Sequence, residues 1–103
     1  MATEAVFISQ VPNLRFSPGQ VVATIGVDEL VRQGRLNPSA YLRRHLGGDW
    51  GDLDACDRRQ NDAALKSGEE RLFSSYQVTS DLKLWIITEW DRSVTTLLLP
   101  SEY

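Results

Sequence analysis

Arg71-Leu72-Phe73-Ser74-Ser75-Tyr76-Gln77-Val78 alternates in polarity, and Thr79-Ser80-Asp81 breaks the run. Lys83-Leu84-Trp85-Ile86-Ile87-Thr88-Glu89-Trp90 follows, then Asp91-Arg92, then Ser93-Val94-Thr95-Thr96-Leu97-Leu98-Leu99 ahead of Pro100. A period of two over successive runs of this length, separated by short polar breaks, predicts β-strands. The middle run is dense in Leu84, Trp85, Ile86 and Ile87, which suits a central strand buried on both faces. Asp91-Arg92 is a candidate two-residue hairpin turn, and Pro100 stops the return strand. The stretch therefore predicts a three-stranded antiparallel meander.

Upstream, the apolar period lengthens to that of helices. Thr24 is placed to cap a helix with Val27, Leu30 and Val31 on one face and Asp28 and Glu29 in its first turns. Gly34 stands where a left-handed residue closes that helix, with apolar Leu36 beyond it. Asn37-Pro38 restarts a helix at once, proline being harmless where the N–H has no partner anyway. Tyr41, Leu42, His45 and Leu46 share its inner face, and Gly47-Gly48 end it. A third helix is predicted over Leu53 to Ser67, capped by Asp52, closed by Gly68, and facing inward through Leu53, Cys56, Gln60, Ala63 and Ala64. Gln20-Val21-Val22-Ala23 reads equally as a short strand or as the approach to the first helix. Residues 1–15 form an extended lead-in in which Ala5-Val6-Phe7-Ile8 is the strand-like part. The expectation is one α+β domain over 16–103. Its N-terminal helical hairpin and third helix pack on a C-terminal antiparallel meander of three to four strands.

Composition narrows the function classes. The 103 residues are 42% hydrophobic and 24% charged, with a net charge of −3. One cysteine, Cys56, and one histidine, His45, rule out a disulfide framework and any metal site built from several of either. No apolar run approaches the roughly 20 residues that cross a bilayer. Met1-Ala2-Thr3-Glu4 has no basic secretory leader, so a cytoplasmic location is expected. No cofactor fingerprint or Gly-rich phosphate loop is present. Overall acidity also disfavours nonspecific binding to nucleic acid.

Charge is segregated along the chain. Arg32, Arg35, Arg43 and Arg44 stand in a segment without acids, and Asp49, Asp52, Asp54, Asp57 and Asp62 follow against only Arg58 and Arg59. Solvated, mutually neutralising helix faces are one reading. Direct phosphate contact through the four arginines is a second. A third makes Asp49, Trp50, Asp54, Asp57, Asp62 and Trp90 a surface for a basic protein partner. Calcium-loop spacing fails from either start: Asp49 puts Gly51 and Leu53, and Asp52 puts Cys56 and Ala63, where oxygen ligands belong. A catalytic alternative groups His45, Glu89, Arg92 and Thr95 as acid, base, phosphate clamp and hydroxyl donor for metal-free RNA cleavage. A homodimer through an edge strand is a further arrangement open to such a sheet.

Three stretches together carry a family resemblance: Phe16-Ser17-Pro18-Gly19-Gln20-Val21-Val22-Ala23-Thr24, Tyr41-Leu42-Arg43-Arg44-His45 with Gly48-Asp49-Trp50-Gly51-Asp52, and the ending from Trp85 to Tyr103. The chain resembles small proteins of plasmids and integrative elements, often labelled plasmid-related or as a type I restriction subunit. That resemblance implies a mobile-element accessory role, with a host protein, including a nucleic-acid-binding one, as partner. An anti-restriction or anti-CRISPR inhibitor is its concrete form. The order of helices followed by a meander is also similar in topology to RelE-like small ribonucleases, which implies the catalytic alternative.

Overall fold

The computed structural model describes residues 14–103, so the strand-like Ala5–Ile8 lies outside the described residues. Strand β1 (Gln20–Ala23) leads into helix α1 (Ile25–Arg32), followed by α2 (Pro38–Leu46) and α3 (Ala55–Ser67). Strands β2 (Leu72–Thr79), β3 (Leu82–Thr88) and β4 (Val94–Leu98) then form the meander, and a single 3-10 turn, Pro100–Glu102, ends the chain. The fold is α+β, with three helices and a four-stranded sheet in the order β1-β4-β3-β2. β2, β3 and β4 are antiparallel as the alternation predicts, whereas β1 lies parallel to β4. The sheet is therefore mixed. β1 lies along the edge of β4 that β3 leaves open, and the chain runs from it straight into α1.

The hairpin of helices forms where the local signals put it. The Thr24 side chain accepts from Val27 N–H at 3.4 Å. Beyond α1, Arg35 N–H donates to Leu30 C=O and Gly34 N–H to Val31 C=O, the double closure of a Schellman cap, with Gly34 at φ 71°. The end of α2 repeats the same pair of bonds, from Asp49 to Arg44 and from Gly48 to His45. Val27 and Leu30 of α1, Leu36, and Leu42 and Leu46 of α2 pack on Val21, Tyr76, Leu84, Ile86 and Leu97 of the sheet. α1 is further fixed from the far end of the chain. The Glu102 carboxylate accepts from Gly26 N–H at 2.8 Å and from the Thr24 hydroxyl, so the C-terminal turn caps the first helix.

α3 departs from its predicted limits and face. Asp54, not Asp52, is its N-cap, accepting from Asp57 N–H at 2.8 Å. The buried positions are Asn61 and Ala64, while Cys56, Gln60 and Ala63 are exposed. The reason is the edge of the sheet. β2 is an outer strand, and the Asn61 side chain accepts from Phe73 N–H at 3.1 Å and donates to Phe73 C=O at 2.6 Å. Two residues further on, Ser75 exchanges bonds with Asp52 N–H and Trp50 C=O, at 2.7 and 3.2 Å. Asp52 itself accepts from Gln77 N–H at 2.9 Å. Gly51 makes the close passage possible, with φ 78° and no room for a Cβ against Ser75 C=O. This edge of the sheet is thus closed to further strands along Phe73 to Gln77.

The β3–β4 connection also differs. A four-residue loop, Trp90 to Ser93, replaces the expected turn at Asp91-Arg92, closed by Glu89 N–H on Val94 C=O at 3.0 Å. Arg92 takes the left-handed conformation, φ 61°, that the sequence offers no glycine to supply.

Because Asn61 supplies both partners of an otherwise open strand position, Asn61→Ala leaves two half-buried backbone groups of Phe73 without their protein partner. The expected cost is about 1–3 kcal/mol, read as a lowered urea midpoint; an unchanged midpoint would contradict the edge-closing role.

Candidate functional site

Of the four residues in the catalytic alternative, two are joined inside the core. His45 is fully buried. Its Nδ1 meets the Ser74 hydroxyl at 2.6 Å and its Nε2 meets the Thr88 hydroxyl at 2.9 Å. Thr88 meets Thr95 at 2.7 Å, and Thr95 donates to Pro18 C=O at 2.8 Å. Proton counting sets every direction. The proline carbonyl can only accept, so Thr95 gives it its proton and accepts from Thr88, which accepts from His45 Nε2–H. Nδ1 is then bare and accepts from Ser74. Burial, then the charge of Arg92, pushes the His45 pKa down from 6.5 to about 3. At neutral pH the ring is uncharged and both its nitrogens are spent.

Arg92 is similarly occupied. Its guanidinium donates to the carbonyls of Glu70 at 2.6 Å, Trp90 at 3.0 Å, Glu89 at 3.2 Å and Ala64 at 3.0 Å. It thereby ties the β3–β4 loop to the last turn of α3 and to the connection before β2. The Glu89 side chain is half-buried and has no hydrogen-bond partner among the described residues. The four residues lie in neighbouring segments, but acid–base chemistry needs a group that substrate can reach, and His45 is sealed.

The charged segments separate into structural and outward-facing groups. Arg44 and Asp49 pair at 2.7 Å, and Arg44 also lies 4.6 Å over the Tyr76 ring. The Arg44 hydrogen bond holds Asp49 below the usual carboxylate range. Arg32 pairs with Asp28 at 2.9 Å, and Arg35 reaches Gln33 at 3.4 Å. Arg43 is exposed at the surface of α2. Trp50 is only 4% exposed, packs its ring against Phe16 and His45, and donates to Asp62 at 2.9 Å. It anchors its loop and offers nothing to a partner, which corrects its placement in the docking surface. Asp54 and Asp62 remain exposed while serving as cap and acceptor. Asp57 is exposed with no side-chain partner among the described residues.

Trp90 and Tyr103 are 62% and 69% exposed. Tyr103 stacks edge-on against Trp85, which meets Phe73 in the same way at 5.1 Å. Arg71 donates to the Tyr103 hydroxyl at 2.9 Å. Between α3 and the start of β2 lies a cavity of about 280 Å³ whose lining includes Leu53, Asp57, Gln60, Ala64, Glu70 and Phe73. Sequence reading missed this cavity. Glu70 and Phe73 belong to a connection and an edge strand with no spacing that points to α3. Among the described residues, no group of three or more His, Cys, Asp and Glu is placed to hold a metal ion, and no helix is long and apolar enough to cross a membrane. Compared with protein-family models, with curated proteins and with solved structures, the chain matches none.

The depressed His45 pKa sets a sign for acid stability. The unfolded chain takes up a proton near pH 6.5, while the folded chain resists it down to about 3. Stability is complete above pH 6.5 and falls as pH is lowered, by a slope approaching about 1.4 kcal/mol per pH unit. Denaturant unfolding between pH 6.5 and 5.5, above the pH range in which carboxylates take up protons, shows this slope if the assignment holds. A flat profile in the wild-type chain would contradict it.

Proposed function

We propose that this chain is a non-catalytic binding protein of a mobile element that docks its acidic side on a basic host protein, in the manner of an anti-restriction or anti-CRISPR inhibitor. One observation carries the reading. Of the residues in the catalytic alternative, His45 and Arg92 are spent on protein groups, whereas Asp54, Asp57, Asp62 and Trp90 are exposed to solvent. Arg58, the cation nearest the start of α3, supports it further. It is turned back onto the carbonyls of Leu53 at 2.9 Å and Gly51 at 3.1 Å and does not pair with the neighbouring acids.

Such a surface attracts a partner that presents clustered Lys and Arg, such as a nucleic-acid-binding face, by standing in for phosphate charge. The exposed ring of Trp90 adds an apolar contact that acidic side chains cannot supply. The mobile-element context rests on the family resemblance carried by the Phe16–Thr24, Tyr41–Asp52 and Trp85–Tyr103 stretches.

The test exploits the fact that asparagine serves both as a helix cap and as an acceptor for the Trp50 indole. Asp54→Asn, Asp57→Asn and Asp62→Asn together remove three charges and keep both hydrogen bonds. A tagged wild-type chain is used to retain a partner from nuclease-treated host lysate. The triple variant is expected to retain that partner at least tenfold less well, with an unchanged thermal midpoint and with salt weakening the wild-type complex. Equal retention by the two chains would overturn the proposal.

A further inference from the structure

We infer that the cavity between α3 and β2 receives an arginine side chain from the basic partner, a step that rests on the acidic docking reading and gives it a specific contact. The cavity, about 280 Å³, lies just under the roughly 300–1,000 Å³ of small-molecule sites, a size suited to one long side chain. Its lining is divided by burial. Leu53 and Ala64 are buried, at 9% and 2% exposure, and Phe73 is half-buried, which gives an apolar wall for a three-carbon stem beside the buried Asn61 amide, itself satisfied by the Phe73 backbone. Asp57, Gln60 and Glu70 are exposed, so polar acceptors stand at the opening.

Those acceptors are available. Among the described residues no hydrogen bond or ion pair engages the side chains of Asp57, Gln60 or Glu70. The two nearby cations are drawn elsewhere. Arg71, which also lines the cavity, directs its guanidinium to the Tyr103 hydroxyl, and Arg92 fills its donors with backbone carbonyls. A guanidinium matches this opening better than an ammonium. Its planar fork can address separate acceptors from α3 and from the connection before β2 at once, and it stacks on an aromatic ring such as Phe73. Arg92 also bridges Glu70 C=O and Trp90 C=O, which holds the β3–β4 loop against the connection that lines the site. Two carboxylates, an amide and apolar walls thus line one pocket together with an arginine already bonded to Tyr103.

The experiment is a titration of the intact chain followed by backbone and side-chain amide NMR at physiological ionic strength. The probe is the capped peptide acetyl-Gly-Arg-Gly-amide, with its citrulline counterpart as the isosteric uncharged control. Saturable shifts at Gln60, Asn61 and Phe73 are expected with arginine and not with citrulline. Asp57→Asn with Glu70→Gln is expected to weaken the arginine response at least fivefold, and the variant's unperturbed spectrum elsewhere shows that it is folded. Equal responses to arginine and citrulline would overturn the inference. An octa-arginine peptide separates this from the docking reading. Shifts along α3 that spare Phe73 would remove the pocket and leave acidic docking standing, and no shift with either arginine peptide would remove both.

Discussion

A proline carbonyl sets the polarity of the whole core. Pro18 C=O can only accept, and from it the bonds run backward in one sense through Thr95, Thr88, His45 and Ser74. This chain of bonds touches the segment before β1, then β4, β3, α2 and β2. Each member has one proton to give and one partner to give it to. A second proton on the ring would point at a Ser74 hydroxyl that already directs its own proton there. The cost of a buried charge and the loss of that pairing act together, so the network holds a neutral histidine and the neutral histidine holds the network.

Around that interior the remaining polar groups act as closures of the fold. Asn61 and Asp52 finish the outer edge of β2, Glu102 caps α1 from the opposite end of the chain, and Arg92 joins a hairpin loop to a helix terminus. All four are tertiary contacts, and three of them satisfy backbone groups that would otherwise lie open at an edge or a helix end. What the fold does not use is as informative. Asp57, Gln60 and Glu70 are left unbonded around a cavity partly walled by Leu53, Ala64 and Phe73. The functional reading follows from that division between groups turned inward and groups turned out.

Local signals were legible and tertiary ones were not. Thr24, Gly34 and Asn37-Pro38 act within a few residues of themselves, so their roles follow from backbone chemistry alone, and the structure places them as caps and a helix start. The meander was legible for the same reason, as a period of two over short stretches. α3 was misphased because Asp52 and Asp54 are equally good caps in sequence. Only the sheet edge, which recruits Asp52 for Gln77 N–H, decides between them. The buried stripe then moves from Cys56, Gln60 and Ala63 to Asn61 and Ala64. Trp50 fell in an acidic stretch and suggested an anchor for a partner, but its burial depends on Phe16, 34 positions upstream, and on the turn after α2 that folds it back onto His45. The parallel placement of β1 was equally hidden, since four residues carry no information about which strand they will join.

The most direct measurement is the nitrogen-15 spectrum of the His45 imidazole across a pH titration of the folded chain. The network requires a protonated Nε2 and a bare Nδ1, with no change in that state from pH 7 down to about 4, because the group's pKa is held near 3. A ring that titrates near 6.5, or that carries its proton on Nδ1, would contradict the closed network. It would return His45 to the set of groups able to exchange protons with a substrate.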